Sequence, residues 1–237
     1  MNIHNDSNSS VFLDGRSVYL RAPDLENDVQ NGQWHNWFNH YGNTRFLSHG
    51  VFPVSKEEQL AFVKAALADR GTLLLSIVNK TTHAHEGVIS LKHIDFMNRV
   101  AEIGIVTAPK NRLGGTGAFE AMALLIKHAF SRLNLDLLYA GQHEGLWKWV
   151  NSLFMLGFRI EGVRNHAGVR NRDRYGIFQT SVSAKDFFEL EAARGGDVLN
   201  PSPLEVLKGR PVTNPMDIFQ EGLAQLNAQW SQKKGGS

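Results

Sequence analysis

The chain has 237 residues, a net charge of +2 from 25 basic and 23 acidic side chains, and no cysteine. At roughly 150 residues per domain, that length makes one full domain with an appendage. Apolar usage of 42% and charged usage of 20% exclude wholesale disorder, the missing cysteine excludes disulfides, thiolate metal sites and a cysteine nucleophile, and the balanced charge excludes a nucleic-acid binder built on phosphate contacts.

Residues 1–10 (MNIHNDSNSS) have the composition of a disordered tail and carry no basic-then-apolar leader. No apolar run approaches the roughly 18 residues that a membrane span needs, so a soluble, cytoplasmic protein without a membrane partner is expected. Ser17 to Arg21 alternates and reads as a strand, and Pro23-Asp24 signals a helix start. Trp34, Trp37 and Phe38 then fall at helical spacing. Ser55 and Glu58 form a capping box that opens a helix carrying Leu60, Phe62, Val63, Ala66 and Leu67, ending before Gly71.

Three strands are expected next: Thr72 to Val78, Gly87 to Ile94 and Val100 to Thr107, the last two joined by a hairpin-like turn, Asp95 to Arg99. Pro109 to Gly117 (PKNRLGGTG) is a basic, glycine-rich loop running into a helix whose Phe119, Met122, Ile126, Ala129 and Phe130 share a face. Leu135 to Ala140 reads as a buried strand and Leu146 to Leu156 as a helix stopped by Gly157. Phe158 to Val163 and Tyr175 to Val182 read as the last strands, with a basic loop, Arg164 to Arg174, between them.

Composition shifts near residue 192. Gly195 to Pro215 holds four prolines and reads as a linker. Met216, Phe219, Leu223, Leu226 and Trp230 form the stripe of one amphipathic helix, which must dock on its own domain or on a second copy. The organisation expected is a tail at 1–10, a catalytic-type domain at 11–192, and a linker with a C-terminal helix at 193–237.

The strand, glycine loop and helix around residue 112 form the informative unit. Unpartnered N–H groups at a helix start, the helix dipole and bare glycine backbone together suit a phosphate, the alternative being a glycine loop that only makes a tight turn. Arg112, Gly115 and Gly117 fit R-x-x-G-x-G. A dinucleotide fingerprint lacks its third glycine here, and the G-K-[ST] of a P-loop is absent.

The order of these pieces resembles the GNAT superfamily of acetyl-CoA-dependent N-acetyltransferases. The resemblance rests on LRAPDLEN, GVISLKHIDFMNRVAEIGIVT, NRLGGTGAFEAMALLIKHAF and FMLGFRIEG, and spans roughly Val11 to Leu190. It implies a mixed α/β (α+β) fold: a mostly antiparallel, twisted central sheet with a V-shaped splay between two parallel strands, flanked by helices, here with a C-terminal helical extension. Acetyl-CoA is the implied cosubstrate, with no metal. Arg112, Leu113, Gly114, Gly115, Thr116 and Gly117 would hold its pyrophosphate. Ile105, Val106 and Thr107 would lie along its pantetheine arm, the Val106 N–H polarising the acetyl carbonyl, with His143 helping to hold the arm.

The same resemblance makes Glu102 the base that frees the amine, with His93 and Asp95 beside it. The family's frequent tyrosine, four residues before the LGF glycine, is Leu153 here. Its usual asparagine is replaced by Leu146, with Asn151 lying too late, so the acid for the departing thiolate stays unassigned.

Within the superfamily the chain looks closest to ribosomal-protein alanine acetyltransferases and acetyltransferases of nucleotide-linked amino sugars. The implied partner is a small-molecule amine, with Trp34, Trp37, Asp95, Asp173 and Tyr175 as candidate substrate contacts. Trp34, Trp37, His40 and Tyr41 could stack on a sugar face, or could be core. Arg164, Arg170, Arg172 and Arg174 could grip a nucleotide diphosphate, or form a solvated hairpin tip. Acetylation of a protein N-terminus and a non-catalytic acyl-CoA-binding module are the alternatives, and a homodimer through the C-terminal helix is a further expectation.

Overall fold

The computed structural model describes residues 10–47, 50–109 and 114–234. The arms of one eight-stranded sheet run in the order β1-β2-β3-β4-β5-β6-β8-β7. Its strands are β1 (Leu13–Asp14), β2 (Val18–Arg21), β3 (Leu73–Asn79), β4 (His85–Asp95), β5 (Val100–Thr107), β6 (Leu137–His143), β7 (Arg159–Arg170) and β8 (Asp173–Ser183). Neighbours pair antiparallel except β5 and β6, which are parallel. The expected mixed architecture is therefore present.

Alternation along the strands divides the core. Ile77, Ile89, Leu91, Ala101 and Ile103 face α4 (Gly114–Ser131), packing on Phe119, Met122, Leu125 and Ile126. Leu74 and Val88 point the other way, into a smaller cluster with Val29, Trp34, Trp37 and Val63. That second layer is built from a wide helical turn at Leu25–Gln30 and from α1 (Trp34–Asn39), α2 (Tyr41–Thr44) and α3 (Lys56–Ala68). The capping box of α3 is formed as expected: Glu58 N–H donates to Ser55 Oγ at 3.1 Å, and Ser55 N–H to Glu58 Oε2 at 2.8 Å.

One buried ionic knot joins that layer to the sheet. Arg21 donates to both oxygens of Asp28 at 2.7 Å, and Ser76 Oγ donates to Asp28 Oδ2 at 2.7 Å. Burial alone would raise the Asp28 carboxyl, but Arg21, His85 and Ser76 hold it below its ordinary range. His85, 3.6 Å from Asp28, lies against the rings of Trp34 and Trp37 at 5.3 and 4.8 Å. Burial pushes its imidazole down to about 4, further than Asp28 can restore it.

Beyond β6 come α5 (Trp147–Phe154), α6 (Ala184–Ala193), α7 (Pro203–Lys208) and α8 (Pro215–Lys234). Three expectations need correction. The basic loop at 164–174 is instead a continuation of β7 and β8 into a long hairpin, turned by Asn171 and Arg172 at φ 51° and 72°. The glycines at 114, 115 and 117 lie in the first turns of α4 rather than in a loop before it. The proline-rich 195–215 segment packs inward, with Val198, Leu199, Val206 and Leu207 in the main core. Of the C-terminal stripe, Met216 and Phe219 dock against Val150 and Phe178, while Leu226 and Trp230 are exposed. No described helix is long and apolar enough to cross a membrane.

The knot predicts a pH dependence. The unfolded chain binds a proton at His85 near pH 6.5, and the folded chain only near pH 4. Stability should therefore fall as pH drops from about 6.5 to about 4. In urea unfolding across that range, His85→Gln should flatten the slope relative to the parent; an unchanged slope would remove His85 as its source.

Candidate active site

Parallel pairing of β5 with β6 ends after three residue pairs: Val100 with Leu137, Ala101 with Leu138, Glu102 with Tyr139. Both strands continue, β5 to Thr107 beside β4 and β6 to His143 beside β8. Each keeps its outer neighbour on both sides of the point where they part. Two residues past the last pair, each strand carries a glycine, Gly104 and Gly141, on the same sheet face as Glu102 and Tyr139. A Cβ on Gly104 would lie 4.0 Å from its nearest neighbour, Ser90 Oγ. Packing within the protein therefore does not demand a glycine there. A strand glycine of that kind marks a close approach by something else.

A cavity of about 880 Å³ occupies the gap. Its wall includes Ile103, Ala118 and Met122 from the α4 side, and Ser90, Lys92 and Glu102 from the opposite side. The cavity thus runs through the sheet at the splay. Gly115, in the first turn of α4, also lines it, and a Cβ there would meet nothing within 4 Å. That bare helix start, opening on a strand edge without a partner, fits a long anionic ligand with an amide-bearing arm.

Of the residues expected at the coenzyme, Ile105, Val106 and Thr107 line the cavity beyond the splay, and the Thr107 carbonyl accepts from Asn43 Nδ2 at 2.9 Å. Thr116 and Gly117 lie in the first turns of α4 with Gly114 and Gly115, while Arg112 and Leu113 fall outside the described residues. His143 lines the β6 arm, stacked on Tyr175 at 4.3 Å with Phe46 at 4.9 Å on its ring. Its Nδ1 accepts the Gly145 N–H at 3.0 Å, which leaves the proton of the neutral ring on Nε2. Burial, with Arg170 acting against Glu144, keeps that imidazole below its ordinary pKa.

Glu102 sits at the point of the V. Its Oε2 lies 3.1 Å from His93 Nδ1. Strict alternation would put His93 on the other face. A bulge between Lys92 and Asp95, with His93 at φ 50°, turns the ring to Glu102. Glu102 lines the cavity, whereas His93 stands outside the lining with its side chain 72% exposed.

Three expected contacts, Asp95, Asp173 and Trp37, sit elsewhere. Asp95 is a turn residue: its carboxylate accepts from the backbone of Asn98 and Met97 and from Asn98 Nδ2, and these bonds hold its pKa down. Asp173 begins β8 at the exposed hairpin tip. Trp37 is core, 5% exposed, and Trp34 forms part of the cavity wall but is 1% exposed. Tyr175 does line the cavity. Leu153, at the family's tyrosine position, is fully buried in the main core. Asn151 Nδ2 donates to the carbonyls of Pro211 and Thr213, so it anchors the C-terminal segment. Lys92, Ser90 and Gln59, which sequence reasoning passed over, all line the cavity. The even spacing of Ser90, Lys92, Glu102 and Gly104 on adjacent strands was the available signal.

The family model described as an acetyltransferase (GNAT) domain matches residues 18–158. The chain belongs to the GNAT acetyltransferase family. No curated protein matches it in sequence. Among solved structures it is similar to the spermidine N-acetyltransferase of Vibrio cholerae in complex with CoA and spermine, at 19% identity, TM-score 0.65, covering 73% of this chain and 98% of that one. A GCN5-related N-acetyltransferase from Brucella melitensis gives 18% identity and TM-score 0.65 over 84% of this chain and 95% of that one. A GNAT-family acetyltransferase from Bacillus anthracis gives 17% and 0.61 over 73% and 98%. At these identities the likeness establishes the fold. This GNAT chain is an N-acetyltransferase with acetyl-CoA as its cosubstrate.

The two bare positions are separately testable. Gly104→Val places a β-branched side chain in the gap at a position with room for a Cβ. The melting temperature should hold or rise while turnover falls by about a hundredfold or more. Gly115→Ala should likewise leave stability intact, the helix gaining slightly, and weaken acetyl-CoA in a calorimetric titration by about tenfold. Parent-like turnover and affinity in these variants would mean that the glycines clear no ligand path.

Proposed function

We propose that this enzyme acetylates the primary amine of a small molecule that enters from the α1–α3 side of the sheet, while the coenzyme lies along β5 with its pyrophosphate at the start of α4. The observation that carries this reading is the carboxylate of Glu102 at the point of a cavity that passes through the parted strands. Acetyl-CoA supplies the acetyl group as a thioester. Glu102 accepts the proton of the amine as its nitrogen bonds to the acetyl carbon and the carbon–sulfur bond breaks. His93, bonded to Glu102 and open to solvent, passes that proton outward. Val106, paired with Val88, turns its N–H to β4, so the N–H of Ile105, which faces the gap, donates to the carbonyl oxygen as charge gathers there. The departing thiolate takes its proton from water, a step made easy by the ordinary thiol pKa of about 8.5, and Leu153 offers no hydroxyl for it.

The acceptor chamber is largely apolar, walled by Phe38, Phe46, Phe62, Leu74 and Val88. That supports a compact amine with an apolar body. A nucleotide-linked amino sugar, suggested by the Trp-rich stretch and the arginines, has less to support it. Arg164, Arg172 and Arg174 are exposed and off the cavity wall, and Arg170 donates to the Leu47 carbonyl at 2.5 Å. A ribosomal-protein N-terminus would need an open groove. Here the hairpin tip reaches α2, Asn171 Nδ2 donating to Tyr41 Oη at 2.7 Å.

Glu102→Gln should cut kcat by about a hundredfold or more with acetyl-CoA affinity unchanged. His93→Phe should lower kcat less and leave the KM for acetyl-CoA alone. Undiminished turnover in Glu102→Gln would sink the assignment of the base.

A further inference from the structure

Lys92 and Glu102 are direct cross-strand partners on β4 and β5, with side chains on the same face. Opposite charges so placed ordinarily pair across an antiparallel ladder. Here they do not. Glu102 bonds to His93, and Lys92 has no ion pair among the described residues. Both nevertheless line the cavity. An anion and a cation stand side by side at the point of the V, held apart.

The same wall holds two further donors without partners. Gln59 is 2% exposed and Trp34 1%, and Gln59 Nε2 and Trp34 Nε1 make no hydrogen bond. A buried donor left unmet costs free energy, so it calls for an oxygen from a ligand or a water. The carboxylates are few. Among the described lining residues only Glu102 and Glu58 carry one, and Glu58 already accepts the Ser55 N–H. Such a site repels a polycation at Lys92 and lacks the acids to hold one.

Building on the acetyltransferase reading, we infer that the acceptor is a zwitterion: an α-amino acid with an apolar side chain, its amine at Glu102 and its carboxylate at Lys92. The side chain then runs into the chamber of Phe38, Phe62, Leu74 and Val88. The carboxylate's remaining lone pairs meet donors rather than acids. Lys92 is thus a specificity-determining residue, and it takes no part in moving the proton.

The test follows thiol release from acetyl-CoA with phenylalanine, its decarboxylated form phenethylamine, glucosamine and spermidine as acceptors. Phenylalanine should exceed phenethylamine in kcat/KM by at least about tenfold, the worth of a charge-assisted contact. In Lys92→Met that ratio should fall toward one, through a raised KM for the amino acid with little change in kcat. Lys92→Glu should shift preference toward spermidine. A calorimetric titration with acetyl-CoA confirms that each variant keeps its coenzyme site. Equal use of phenylalanine and phenethylamine by the parent, or an unaltered ratio in Lys92→Met, overturns the inference. Transfer to spermidine or glucosamine with none to the amino acid overturns it while leaving the acetyltransferase reading intact. Acetyl-CoA binding with no transfer to any amine overturns both.

Discussion

The parting of β5 from β6 after the Glu102–Tyr139 pair is the constraint on which the rest depends. A parallel pair left to itself would go on pairing, because every unpaired N–H and C=O costs free energy. Here each strand is captured by its outer neighbour, β5 by β4 as far as Thr107 and β6 by β8 as far as His143. Met122 and Ala118 of α4 border the opening from below. The gap therefore persists as packed architecture, and in the proposed reading a coenzyme and an amine meet through it from opposite faces of the sheet.

The upper face must keep its distance for that to work. Its helices are tied to the sheet by the knot of Arg21, Asp28, Ser76 and His85, placed beneath Trp34 and Trp37. A buried carboxylate with several donors is rigid, and removing Arg21 would leave the Asp28 charge without compensation. At the other end, contacts from Arg170 and Asn171 to Leu47 and Tyr41 hold the long hairpin against α2. The acceptor chamber is framed between these two fixed ends.

Local backbone geometry then sets the electrostatics. A single bulge in β4 brings His93 to Glu102, and the pairing of Glu102 with His93 leaves Lys92 unengaged beside it. A regular strand would have put the histidine on the α4 face and left lysine and glutamate to neutralise each other. The Glu102–His93 contact and the lysine left beside it both follow from one extra residue in one strand.

Much of this was legible along the chain. Period-two alternation marked β2, β-rich runs around a hairpin-like turn marked β3, β4 and β5, the Ser55–Glu58 spacing marked the start of α3, and the glycines near residue 115 marked a helix start. These signals are local, and backbone sterics, capping and the 2.0 and 3.6 periods act within a few residues. Glu102 was singled out by the resemblance to the GNAT superfamily, and alternation put it on the face of Gly104. What the sequence left undecided was set by contacts between distant segments. The prolines of 201–215 read as a linker, yet Val206 and Leu207 bury in the main core because α4 offers them a surface. Trp37 read as a substrate contact, yet it is buried against His85, more than forty residues away. Asp95 spends its carboxylate on its own turn, and Lys92 becomes a site residue only through its register against Glu102. Register, bulges and the separation of two charges belong to paired strands and have no counterpart in either strand alone, so only the tertiary structure could decide them.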